Sequence, residues 1–511
     1  MLIPGFKECS GSDLLTSGRC ERFIAVSSWG RFLQKERRRG NRGQALPPRS
    51  EREVMVSIVR KAALMAAVST SLLLAPQAVL AETIFGAMAK AYANNPDLNA
   101  ARAGLRATDE SVPIAKSGFR PQVAAFASGT LSTIDREKTL SQDIHQGQVG
   151  ITVNQMVFDG FQTLNNVRAA ESNVFATRES LRANEISILL SAATIYSNIA
   201  RDQQLVSIRK QNIAFLQEQV NAAKARLDVG EGTRTDVSLA EASLANAQSQ
   251  LIVAVAQLKQ SEATYVQIVG DVPRGIKQAS PAQKALPRSL DQAVATGLRE
   301  SPIILSAQYS VDSAGYQVKS AEGTMLPGVT LQGQVGRTTG NAGELGLDTN
   351  SSSITARLEV PIYQGGAEYG QIRQAKERLG QQRILVDSAR ASVQQTIVSA
   401  YAQLEAAIAR ISANKAQISA AKLALDGVIE ERKVGQRTTL DVLDSQQDVL
   451  QAQELLALAQ RDAVVASYSL LAASARLTVK DQGLQVAEYR SEEHYEAVKD
   501  KWIGLRTVDG R

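Results

Sequence analysis

At 511 residues the chain could hold several globular domains, but aromatics are 5% and prolines number 13, a lean supply for several separate cores. Ala, Gln, Leu, Ser and Arg dominate instead, a composition suited to long helices packed through small side chains. The first 81 residues hold 13 of the 57 Lys/Arg and 6 of the 51 Asp/Glu, which leaves 44 basic against 45 acidic residues beyond them and gives no electrostatic ground for a nucleic-acid partner.

Residues 1–54 read as an over-extended N-terminus, with Met55 as the initiator and the basic run Lys35 to Arg39 falling under the same reading. Residues 55–81 then form a secretory signal peptide: Arg60 and Lys61, an apolar stretch from Ala62 to Leu74, and small residues before a cut after Ala81. A transmembrane anchor would need roughly 20 apolar residues. Both cysteines, Cys9 and Cys20, precede the cut, so the exported chain is expected to have no disulfide, thiol ligand or lipidated cysteine. No later segment reads as a membrane helix, Ala463 to Leu471 being short and interrupted, so any bilayer crossing falls to strands.

From Thr83 the chain is duplicated. TIFGAMAKAYANNPDL aligns with SLDQAVATGLRESPII at a shift of 206, placing Pro96 over Pro302 and Pro121 over Pro327. At a shift of 205, Phe158 then overlies Tyr363, Gly160 overlies Gly365, and RLDVGEGTRTDV overlies RKVGQRTTLDV. Repeat 1 spans 83–273 and repeat 2 spans 289–478, with a linker at 274–288 and a charged tail at 479–511 that is expected to be partly disordered.

Each repeat opens helically and switches after its Pro121 or Pro327 to alternation, as in Val329, Leu331, Gly333 and Val335. Strands are expected at about 121–134, 146–160, 327–338 and 351–364, with polar loops at 135–146 and 337–352 between them. Long helical hairpins follow at about 161–270 and 366–476, turning at Gly230 and Gly435. Ile199, Val206, Ile213 and Val220 recur every seven residues, as do Leu404, Ile411, Ile418 and Leu425, which predicts coiled-coil packing.

Four strands cannot close a membrane barrel, whose smallest single-chain forms have about eight, so several chains must share one barrel or the hairpins lie outside the membrane. The order of elements, the aromatic-x-Gly strand endings and the twice-used motif V-G-x-x-T-x-x-D-V (Val229 to Val237, Val434 to Val442) resemble the TolC family of outer-membrane channel tunnels. The resemblance covers nearly all of 83–478. It implies a mainly α protein with a membrane β-barrel portion: a homotrimer with a twelve-stranded barrel in the lipid bilayer and an α-helical coiled-coil tunnel in the periplasm. It further implies a passive exit duct for an inner-membrane pump joined through a periplasmic adaptor (membrane fusion) protein, in a tripartite efflux pump, a type I secretion system, or both. It also places the linker and tail in a belt around the tunnel.

No enzyme constellation is present, and no cofactor or metal is expected. The exported chain has only His145, in an expected hairpin loop, and His494, in the tail, both expected to be solvent-exposed. At the tips, Thr233 with Asp236 and Thr438 with Asp441 fit a capping box, which explains all four without a gate. Capping does not explain Asp444, whose repeat counterpart is Leu239. Asp441 and Asp444 stand three apart on one helix face, so a threefold axis would bring six carboxylates together and select cations.

By the resemblance, Asp441 and Asp444 line the entrance constriction, and Arg437 holds it shut through Thr235 and Asp236. The family's aromatic residue two places before V-G is here Arg432, which could pair with Asp236. Val229, Gly230, Thr233, Val434, Gly435 and Thr438 would be the adaptor-docking tips, although the valines and glycines are turn formers first. The competing reading is a non-conducting periplasmic coiled-coil spacer or surface structural protein, for which the asymmetry between Asp444 and Leu239 has no use.

Overall fold

The structure is a computed structural model that describes residues 82–510 apart from 137–138, 283–285, 343–344 and 347. The expected N-terminal extension and signal peptide lie outside the described residues. Each repeat opens with a helix interrupted at an Xaa-Pro pair. Thr83 caps α1 (Ile84–Asn94), accepting from Gly86 N at 3.1 Å. Asn95, held extended before Pro96 (φ −62°, ψ 125°), ends α1 and caps α2 (Pro96–Asp109) from Leu98 N at 3.0 Å. In the second repeat Ser301 (φ −63°, ψ 122°) makes the same break between α6 (Leu290–Glu300) and α7 (Pro302–Gly323), without a side-chain cap bond. The duplication thus extends to backbone angles.

After α3 (Ser111–Lys116) come β1 (Gln122–Arg136) and β2 (Thr139–Phe158); after α7 come β3 (Gly328–Ala342), the two-residue β4 (Leu345–Gly346) and β5 (Thr349–Glu359). They form one antiparallel sheet in the order β1-β2-β3, with β5 and β4 beside β3. The register sorts side chains by face. Val123, Val153, Gly333 and Ile354 lie in one cross-strand row and Ala125, Ile151 and Val335 in a neighbouring row of the same face. Ala124, Thr152, Gln334 and Ser353, then Gln122, Asn154, Gln332 and Thr355, line the other face.

The strands overrun the expected loops. β1 and β2 pair out to Arg136↔Thr139, and β3 continues to Ala342, so most of 135–146 and part of 337–352 are strand. Backbone ladder bonds need no apolar alternation, and polar side chains serve where both faces are wet. His145 accordingly sits within β2, opposite Leu131 and Asn341, not in a loop. β5 stops at Glu359, short of the expected 364, because Pro361 has no N–H to give the ladder.

The helical hairpins are α4 (Gln162–Asp228) with α5 (Arg234–Val269), and α8 (Ala367–Lys433) with α9 (Thr439–Ala473). The two longest helices have 67 residues each, about 100 Å at 1.5 Å per residue. Entry into α4 needs left-handed backbone at Gly160, where a Cβ would collide with the Gly323 carbonyl. Ile199, Val206 and Val220 are buried, as are Leu404 and Leu425. Ile213, Ile411 and Ile418 are half-buried within one chain. Contrary to the sequence reading, α9 is apolar enough by length and composition to cross a bilayer, but half of its apolar window is buried inside the protein, as in a core helix.

The main core lies where the hairpins, the linker and the tail meet, around the buried Tyr92, Tyr196, Tyr265 and Tyr468. Tyr196 Oη donates to Glu82 O at 2.7 Å and accepts from Lys277 N at 3.2 Å, fastening the first described residue and the linker to α4. The tail is ordered by the same core. Leu484 is buried in it, and α10 (Ser491–Val498) packs on α2 with Val498 fully covered. His494 Nδ1 lies 2.9 Å from Oδ2 of the fully buried Asp109, so this histidine is partnered rather than solvated.

Candidate functional site

Each helical hairpin turns on a tight reversal. At the first tip, Gly230 (φ 80°) follows the last turn of α4 and donates to Leu227 O at 3.0 Å, while Gly232 N reaches Arg226 O at 3.1 Å. At the second, Gly435 (φ 79°) donates to Arg432 O at 3.1 Å. Nothing crowds a Cβ at either glycine, so the left-handed backbone alone demands the residue. Val229 and Val434 stand at the apex, 71% and 72% exposed.

The returning helices start with complete capping boxes. Thr233 N donates to Asp236 Oδ2 at 3.1 Å while Asp236 N donates to Thr233 Oγ1 at 3.2 Å; Thr438 and Asp441 repeat this at 2.8 and 3.2 Å. The Thr233 hydroxyl, then the Thr439 hydroxyl, hold the Asp236 carboxyl below the usual aspartate range. The Thr438 amide does the same for Asp441. Asp444 is exposed one turn on, and so is Asp448 four residues later. Asp448 was missed in the sequence, although its spacing from Asp441 and Asp444 places all three on one strip of α9.

Buried contacts fix the two tips to one another. Leu443 packs with Leu216 and Ala247, and Gln446 Nε2 donates to Asn212 Oδ1 at 2.8 Å. Higher up, Arg209 Nε meets Glu454 Oε1 at 2.8 Å. Arg432, only 8% exposed, donates from Nη1 to Gln219 Oε1 at 2.8 Å, and burial lowers its pKa. It therefore bridges the hairpins, but not through the expected salt bridge: Asp236, whose carboxyl serves its own cap and takes the Thr439 hydroxyl of the other tip, contributes only longer-range attraction.

Arg437 likewise meets neither Thr235 nor Asp236 within one chain. Its Nε donates to Glu431 Oε2 at 2.8 Å across its own turn, which raises the guanidinium pKa. Thr235 is exposed. Among the described residues no group of three His, Cys, Asp or Glu is placed to hold a metal ion. The site offers charge and shape at the end of a helical bundle.

A family model described as "Outer membrane efflux protein" matches residues 87–271 and 295–476, the two repeats. The chain belongs to that family. Outer membrane efflux protein BepC of Brucella suis is 51% identical over 436 residues, covering 85% of this chain and 94% of its own. Outer membrane protein TolC of Escherichia coli is 25% identical over 423 residues, covering 78% and 84%. The crystal structure of the Campylobacter jejuni CmeC outer membrane channel superposes with a TM-score of 0.70 at 16% identity, over 82% of this chain and 89% of that one, which establishes the common fold. The protein is an outer-membrane exit duct for efflux, secretion or both, with its helical tunnel in the periplasm.

Proposed function

We propose that three copies of the chain close one twelve-stranded barrel in the outer membrane and join their helical hairpins into one periplasmic tunnel. The observation that carries this is the open sheet. Among the described residues β1 and β5 each keep one unpaired edge, and one face of the sheet carries an apolar band through Val123, Val153 and Ile354 and through Ala125, Ile151 and Val335, with Ser352 and Arg337 further out on the same face. Unpaired edges are not tolerated in lipid, and four strands fall below the roughly eight of the smallest barrels. Pairing β1 of one copy with β5 of the next removes both edges, and threefold symmetry closes the ring with the Gln, Thr and Ser face lining the lumen. Ile252, Val253, Ile384 and Leu423 on the long helices, 62–75% exposed in one chain, supply surface for neighbouring copies.

At the tips, Asp441 and Asp444 from three copies form the entrance constriction, which attracts cations and resists close approach of its own carboxylates. Asp448 extends the acidic strip inward by one turn. In the closed state Arg437 links to Thr235 and Asp236 of the neighbouring copy, and Arg432 ties the two hairpins of each copy. The exposed apex, with Val229, Gly230, Thr233, Val434, Gly435 and Thr438, docks a periplasmic adaptor joined to an inner-membrane pump. The duct itself does no chemistry, and transport through it is passive. The native mass of the detergent-solubilised protein tests the assembly: three chains per particle are expected. A monomer or dimer would favour the non-conducting spacer.

A further inference from the structure

The end of the tail forms a closed loop. Lys501 Nζ donates to Arg506 O at 2.7 Å, and between them Trp502, Ile503 and Leu505 point outward, 66%, 90% and 103% exposed. The loop is fastened to the chain just before the first strand. Arg120, two residues ahead of β1, donates from Nη1 to Lys501 O at 3.0 Å and stacks on the Trp502 ring at 4.6 Å. Lys116 Nζ meets Asp500 Oδ1 at 2.7 Å, and Ile114 and Phe119 add exposed apolar surface on the same segment.

Its position gives this patch a partner. The apolar face of β1 begins at Val123 and runs to Leu131, nine residues, the length a tilted membrane strand needs (about 9–11). The loop therefore lies at the foot of the lipid-facing band, where tryptophan and arginine favour the boundary between acyl chains and headgroups. Arg120, Lys501 and Arg506 put cationic groups beside the apolar tip, complementary to phospholipid phosphates.

We infer that the loop Lys501–Arg506 is a lipid anchor that inserts Trp502, Ile503 and Leu505 into the periplasmic leaflet of the outer membrane. It holds the C-terminal tail, and α10 with it, at a fixed height below the barrel. This rests on the sheet being the membrane-embedded part, so the test records both.

The protein is reconstituted into phosphatidylethanolamine and phosphatidylglycerol vesicles, with or without bromine near the headgroup end of the acyl chains. Conductance and tryptophan emission are measured on the same preparation, with Trp502→Phe supplying the background. In conducting vesicles, bromine should quench the wild-type emission and leave the Trp502→Phe signal unchanged. Conducting vesicles without quenching overturn the anchor: blue emission already in detergent would place the loop against a neighbouring copy, and red emission would place it in water. Vesicles that do not conduct would remove the membrane reading of the strands and the anchor with it.

Discussion

The two helical tips have nearly the same backbone and different charge. Both turn on a left-handed glycine and restart on a Thr-x-x-Asp box whose Asp amide lies 3.2 Å from the Thr hydroxyl in each. On the strip that follows, the first tip carries Leu239 and Ser243 where the second carries Asp444 and Asp448. A motif repeated for folding reasons is conformationally the same in both copies. Departures that leave the backbone untouched mark what one copy does and the other does not.

The largest expected effect comes from erasing that difference. Asp444→Asn with Asp448→Asn should weaken cation preference and divalent block in single-channel recordings, and adding Asp441→Asn, at the carboxylate both tips share, should remove what remains. The converse variant, Leu239→Asp with Ser243→Asp, should sharpen cation preference if the first tip also faces the pore, and have no effect on it if only the second does.

A smaller effect is expected from Arg437→Ala, which should raise conductance by loosening the closed tips, whereas Glu431→Gln frees Arg437 from its own chain and should lower it. Next, Thr233→Ala and Thr438→Ala should each cost their tip about 1 kcal/mol of local stability and should do so equally, read by amide exchange at the helix starts. The smallest effect is that of acid. Both capping carboxyls titrate below the ordinary value of 3.8, so their contribution is complete above that pH and fades as pH falls through the lower folded values. Exchange at the two tips should accelerate together there, and an effect at only one would break their equivalence.

The duplication, the helical hairpins and both tips were legible because each depends on residues near in sequence: Xaa-Pro breaks, Gly turns and Thr-x-x-Asp caps. The strand ends were not, since ladder pairing continues through polar residues that show no alternation. Partners across the fold were also hidden. Arg432 finds Gln219 at a separation of 213 residues and His494 finds Asp109 at 385, and no local pattern encodes either pairing. Glu431 was within reach of inspection, six residues before Arg437, but it lies across a turn whose geometry decides the contact.

Planar-bilayer recording of the detergent-purified protein, with and without divalent cations, tests most directly whether this is a duct closed by an acidic entrance. Small cation-selective steps blocked from the tip side by divalents are predicted. Properly folded trimers that give no conductance, or steps indifferent to divalents, would contradict the account.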